Sequence, residues 1–131
     1  MAEELQIAAT VVLNNTDTGV SETLTINNTL DQFGEEVVGG TKTIGTSTHV
    51  ALPIGDVTLL PCKLWISNLE PRADTPEAYI LYGIDDGGTF HAIGELHPGN
   101  EDLLTVTTTA IYVQAVNSDV KIKYLLIEGV D

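Results

Sequence analysis

YILYGIDDGGTFHAIGEL, residues 79–96, decides the fold. Residues 79–84 and 90–96 each read as a strand, and Asp85-Asp86-Gly87-Gly88-Thr89 joins them. Asp-Gly and Gly-Gly supply the positive φ angles that a tight hairpin requires. The competing reading is a metal site, because two aspartates and His91 lie together and His97 follows. A calcium loop of the helix–loop–helix kind needs acids at alternate positions and helical flanks. Asp85 and Asp86 are adjacent, and their flanks are strands. His91 and His97 would stand roughly 20 Å apart on an extended chain at about 3.3 Å per residue. Zinc ligands must all come within about 2 Å of one ion. The hairpin accounts for every residue of the stretch, and no metal site is expected.

The same period of two runs outward in both directions. Leu5, Ile7, Ala9, Val11 and Leu13 alternate with polar or small neighbours, as do Val20, Leu24 and Ile26 with Ser21, Thr23 and Thr25. Asn14-Asn15-Thr16-Asp17-Thr18-Gly19 between them has turn chemistry. Residues 41–52 read as one Thr- and Val-rich strand with Gly45 as a bulge. Leu64, Trp65, Ile66 and Leu69 read as a strand buried on both faces, with Trp65 in the core. Residues 103–107, 110–117 and 120–128 complete the set. No helix is expected; the longest candidate, residues 68–78, contains Pro71 and Pro76. Turns recurring every 8–12 residues or so point to a sandwich or barrel. The one Trp and all four Tyr lie after residue 56, so the core should centre on the second half. Residues 1–30 are expected to add outer strands, or an arm that packs on neighbours.

At 131 residues the chain is one domain by length and can bury a core without a metal or disulfide. Its single cysteine, Cys62, has no internal partner and reads as a small buried hydrophobe. MAEELQIAAT places two acids where a signal peptide needs bases, and no apolar run reaches the length of a membrane span. A soluble protein made in a cytoplasm is expected. Nineteen acids against five bases give a formal charge of −14. Lys42, Lys63, Arg72, Lys121 and Lys123 are too few and scattered to hold a phosphate backbone, so neither nucleic acid nor membrane is an expected partner.

No catalytic pattern emerges. Ser21, Ser47, Ser67 and Ser118 lie in no Gly-x-Ser-x-Gly elbow, and no Gly-rich loop opens a helix to cradle phosphate. Nineteen acids allow many pairs for glycoside hydrolysis, but no spacing singles one out. Trp65 could stack on a sugar, though its apolar neighbours favour a core position. Arg72 lies among Glu70, Asp74 and Glu77 and is expected to pair with them. Pro98-Gly99-Asn100-Glu101 is first a β-turn, and His49 stands far from the other histidines in sequence. The expectation is no enzyme, with no catalytic, cofactor-binding or metal-binding residue; partner-binding residues are not singled out.

A further series of residues carries a resemblance. It runs Gly45-Thr46, Leu52-Pro53-Ile54-Gly55-Asp56-Val57, Ser67-Asn68-Leu69 and Tyr79-Ile80-Leu81-Tyr82-Gly83. It continues with Phe90, Ile93, Leu96-His97-Pro98-Gly99-Asn100-Glu101, then Ile111-Tyr112-Val113-Gln114-Ala115 and the strand from Val120 to Glu128. Over about residues 37–128 this resembles the small virion structural proteins of tailed bacteriophages. There a Gly-Asp-Val step leads to an Asn-Leu strand end, and a Pro-Gly-Glu-like turn precedes a strand with Tyr and Ala. Asn100, between Gly99 and Glu101, departs from that pattern. The resemblance implies an antiparallel β-sandwich of jelly-roll kind in the virion, often a capsid decoration or cement subunit. The implied partners are the major capsid protein or other virion subunits and further copies of the chain, with a trimer matching a capsid three-fold. The alternative is a tail, neck or fibre-associated module that binds a carbohydrate or receptor.

Overall fold

In the computed structural model the described residues are 3–32, 36–71 and 77–130. At the centre of the fold is the turn that the sequence marks. Gly87 and Gly88 have φ of 61° and 93°, the double positive φ of a two-residue hairpin turn. They join β6 (Tyr79–Asp86) to β7 (Thr89–Leu96), with Asp86 opposite Thr89. Asp85 Oδ1 accepts from Gly88 N at 2.8 Å and locks the turn. Register shifts between Tyr82 and Gly83, so Ile93 is an extra residue on β7. The chains come close there: a Cβ on Gly83 would lie 1.9 Å from the His91 carbonyl oxygen.

Around this hairpin the remaining strands pair in nested order. β5 (Cys62–Asn68) pairs with β8 (Glu101–Val106), β4 (Val50–Ala51) with β9 (Tyr112–Val116), and β3 (Val37–Ile44) with β10 (Val120–Ile127), all antiparallel. Residues 37–127 thus form one long hairpin folded at Gly87-Gly88. Its successive pairs fall in alternate layers, giving sheets β3-β10-β5-β8 and β4-β9-β6-β7. The architecture is an all-β antiparallel sandwich. Among the described residues there is no helix, and so none long and apolar enough to cross a membrane.

Alternation sets the two faces of each sheet. On β10, Val120, Ile122, Tyr124 and Leu126 are buried while Lys121, Lys123 and Leu125 face out. Ile44, Leu64, Ile66, Ile80, Leu96 and Val113 meet them between the layers, each no more than 1% exposed. Fully burying such a side chain stabilises the fold by about 1.5–3 kcal/mol, so this interlayer contact is the main source of stability. The core does centre on the second half, but it is largely aliphatic. Among the described aromatics only Tyr82 and Tyr124 are buried. Each sends its hydroxyl to an acceptor, Asp102 Oδ2 at 2.7 Å and the Pro53 carbonyl at 3.0 Å. Desolvation, with Asp102 adding to it, pushes the Tyr82 phenol up to about 12.

Two sequence expectations need correction. Residues 41–52 are not one bulged strand: β3 ends at Ile44, and the chain crosses to the other layer before β4 begins at Val50. Gly45 therefore stands at a corner. Trp65 is not in the core and Leu69 is exposed. Leu64 and Ile66 take the inward positions of β5, and period-two geometry turns Trp65 to the outer face.

The N-terminal strands stand apart. β1 (Glu3–Asn15) and β2 (Val20–Gln32) pair only with each other, over thirteen residues each. The resulting ribbon is about 44 Å long at roughly 3.4 Å per residue. Its described side chains are exposed except Ile7 and Leu30, which are half-buried. This hairpin, hereafter the arm, occupies most of the stretch expected to add outer strands or an arm.

Candidate functional site

The sandwich has two outer faces, and each gathers chemistry that the sequence kept apart. On the β4-β9-β6-β7 sheet, His49 enters β4 beside Tyr112 of β9, which pairs with β6. This carries His49 to Asp85, with Nε2 2.5 Å from Oδ2. The imidazole stacks on Phe90 at 5.2 Å between ring centroids and leans on Tyr112 at 5.5 Å. The His49 hydrogen bond, followed by the Gly88 amide, holds the Asp85 carboxyl below its usual range. A carboxylate on one ring nitrogen fixes an imidazole's tautomer and orientation. Asp85 also accepts from Gly88 N in the turn, so the pair serves as a clamp. It ties the β4 entrance to the β6–β7 turn.

His97 lies at the far end of the same face, stacked on Tyr79 at 4.8 Å. Its Nδ1 is 3.3 Å from Glu77 Oε2 and its Nε2 3.1 Å from Glu95 Oε2. His91 stays near the turn at the other end of unbroken β7, so the three histidines do not converge. Among the described residues no group of three or more His, Cys, Asp or Glu side chains could hold a metal ion. Gly99, at φ 76°, and the bond from Asn100 N to His97 O at 3.0 Å make residues 97–100 the turn that the sequence reads there.

The other singled-out residues disperse. Ser21 is exposed on β2, Ser47 lies in the corner before β4, Ser67 is buried on β5 and Ser118 is exposed before β10. Cys62 is fully buried and donates to the Leu59 carbonyl at 3.2 Å. Burial is the main cause that pushes its thiol up, and Glu128 adds to it against the lowering effect of a Gly129 backbone bond. The pairing expected of Arg72 falls outside the described residues, as does Asp74.

A residue that sequence reasoning missed anchors the entry to β3. Glu128 is 3% exposed, at the end of β10. Its Oε1 accepts from Glu36 N at 3.0 Å, and its Oε2 from Thr58 N at 2.8 Å and Leu59 N at 3.0 Å. Its own amide donates to Glu36 O at 3.1 Å. Glu36 precedes β3, so one buried carboxylate ties the entry to β3 to residues 58–59 and the end of β10. The only signal in the sequence was an acid closing an apolar strand.

The outer face of β3-β10-β5-β8 is apolar and basic. Register places Leu125, Trp65 and Leu103 side by side across β10, β5 and β8. Val37, Leu103 and Leu125 are exposed, and Trp65 and Ile127 half-buried. Lys63, Lys121 and Lys123, three of the chain's five bases, point from the same face. Gln6, Ile7 and Ala8 of the arm pass along it, leaving a shallow groove of about 250 Å³ over Trp65, Leu103 and Leu125. This face and the arm, both carrying apolar surface open to solvent, are the candidate functional site. Compared with known family models, curated proteins and solved structures, the chain matches none.

Proposed function

We propose that this chain is a structural virion protein, a capsid decoration or cement subunit without catalytic activity. It docks on the assembled shell and holds neighbouring shell subunits together, in the virion and after synthesis in the host cytoplasm. The observation that carries the reading is the arm. A two-stranded hairpin is marginal in water by itself, yet this one exposes Val11, Val12, Leu24 and Ile26 at 55%, 63%, 66% and 45%. Val11, Leu24 and Ile26 share one face of the ribbon, and exposed apolar surface of this kind marks an interaction site. The nested strand pairing supports reading the sandwich as a jelly roll, a winding used by viral capsid and lectin domains. Fold alone does not fix function, so the arm and the virion-protein resemblance carry the weight. A subunit that binds only the assembled lattice stabilises it by mass action. Cosedimentation tests this: the purified protein should pellet with assembled shells and stay in solution with free shell subunits. Equal binding to both, or to neither, overturns the reading.

A second reading has its own observation. Trp65 is open on one side within the groove rather than buried, which favours a carbohydrate- or receptor-binding module of a tail, neck or fibre. A shift of its fluorescence on adding glycans supports that role.

A further inference from the structure

The arm has one apolar face. Cross-strand partners share a face of a ribbon, and Val11 is opposite Leu24 and Ala9 opposite Ile26. Ile7, Ala9, Val11, Leu24 and Ile26 therefore line one side. The other side carries Gln6, Thr10, Thr23, Thr25 and Asn27, with Val12 its main apolar member. Beyond the base the described side chains of both sides are exposed, the apolar ones among them.

The arm is too long for its own sandwich. The longest strands of the body have eight residues, about 27 Å against about 44 Å for the ribbon. Its base, at Gln6, Ile7, Ala8 and Ala9, lies along Trp65 and Leu103. The stripe from Val11 onward overhangs.

Charge identifies what the overhang meets. The overhanging part of the arm, residues 10–25, holds two acids, Asp17 and Glu22, and no base in a chain with only five bases. Three of those bases, Lys63, Lys121 and Lys123, surround the apolar row on the outer face of β3-β10-β5-β8, against one acid there, Glu101. An acidic ribbon with an apolar stripe thus complements a basic face with an apolar stripe, and both belong to this chain.

We propose that the β1–β2 hairpin of one copy lies across the outer face of the β3-β10-β5-β8 sheet of a second copy. Val11, Leu24 and Ile26 cover Trp65, Leu103 and Leu125 there, and the arm's carboxylates face the three lysines. The overhanging ribbon face, roughly 25 Å by 10 Å, covers about 250 Å². Reciprocal exchange in a two-fold pair then buries roughly 1,000 Å² in total, at the low end for a specific interface. Because arm and receiving face are different patches, the contact can also run head to tail and close into a ring. The inference needs two copies of the chain and no shell, so it stands or falls separately from the proposed function.

The test uses the full chain. Trp65 is the only tryptophan, so its emission reports coverage of the receiving face directly. With rising concentration the wild type should sediment as a multiple of 14.0 kDa, with a blue shift of Trp65 emission. An arm variant, Val11→Asp with Leu24→Asp, and a face variant, Leu103→Glu with Leu125→Glu, should each sediment as single chains. Both alter exposed positions, and their unfolding midpoints check that they fold. Mixing them should restore a heterodimer, since each supplies the half that the other lacks. A wild type at single-chain mass at every soluble concentration overturns the proposal. So does an arm variant that assembles like the wild type, or a mixture that stays monomeric. If the face variant fails to fold, the arm variant's mass and Trp65 emission still decide.

Discussion

Replacing Glu128 with alanine should be among the most damaging single changes available outside the apolar core. Its carboxylate accepts from three backbone amides, at Glu36, Thr58 and Leu59, at 2.8–3.0 Å. A hydrogen bond to a charged acceptor contributes about 1.5–3 kcal/mol, and an unsatisfied buried donor costs about 1–3 kcal/mol. The three bonds share one carboxylate and do not add fully. The expected loss is about 3–5 kcal/mol, within a total stability on the order of 5–15 kcal/mol. For a chain of this length that lowers the melting temperature by roughly 10–20 °C. Glu128→Gln keeps one carbonyl oxygen and should lose about half as much. Thermal and urea unfolding followed by circular dichroism measure both. A Glu128→Ala melting temperature within about 2 °C of wild type would refute the reasoning that this carboxylate straps the entry to β3 and residues 58–59 to the end of β10.

Other expectations follow from the same geometry. Gly83→Ala must displace the His91 backbone and should cost on the order of 3 kcal/mol in urea unfolding; an unchanged midpoint contradicts the close approach at the bulge. Asp85 is held below the usual carboxylate range, so its clamp on His49 is intact above that range and is lost as pH falls through the lowered value. Asp85→Asn should therefore flatten the acid limb of the stability–pH curve, and an unaltered limb rules the clamp out. Tyr82, raised to about 12, stays neutral where ordinary tyrosines ionise, near pH 10; the stability it contributes is lost as pH rises toward about 12. Tyr82 and Tyr124, both raised by burial, should titrate late by absorbance, and Tyr82→Phe should remove one of the two late phenols. Cys62 should react with a disulfide reagent only as fast as the protein unfolds; rapid labelling of folded protein contradicts its burial.

The hairpin at residues 79–96 was legible because its signals are local: alternation on both sides and two glycines where φ must be positive. β1, β2 and β10 were legible for the same reason, as was the turn after His97. Residues 41–52 were misread because a glycine among Thr and Val looks alike at a bulge and at a corner between layers. Which one occurs depends on where β9 and β10 lie, about seventy residues away in sequence. Trp65 was misread because an apolar neighbourhood does not say which parity faces the core; Leu64 and Ile66 decide that through their partners on β10 and β8. The His49–Asp85 clamp joins residues 36 apart, and the Glu128 anchor residues 92 apart. Both arise from the nested winding, which no local period encodes. The basic apolar face was hidden likewise, since Lys63, Lys121 and Lys123 scatter in sequence and meet only when β5 and β10 pair.

The most direct measurement of the proposed role is the temperature at which virions release their genome, compared between particles made with and without this chain. Release several degrees lower in particles that lack it is the result expected of a subunit that clamps the shell. Identical release temperatures would contradict the account, however well the isolated protein folds.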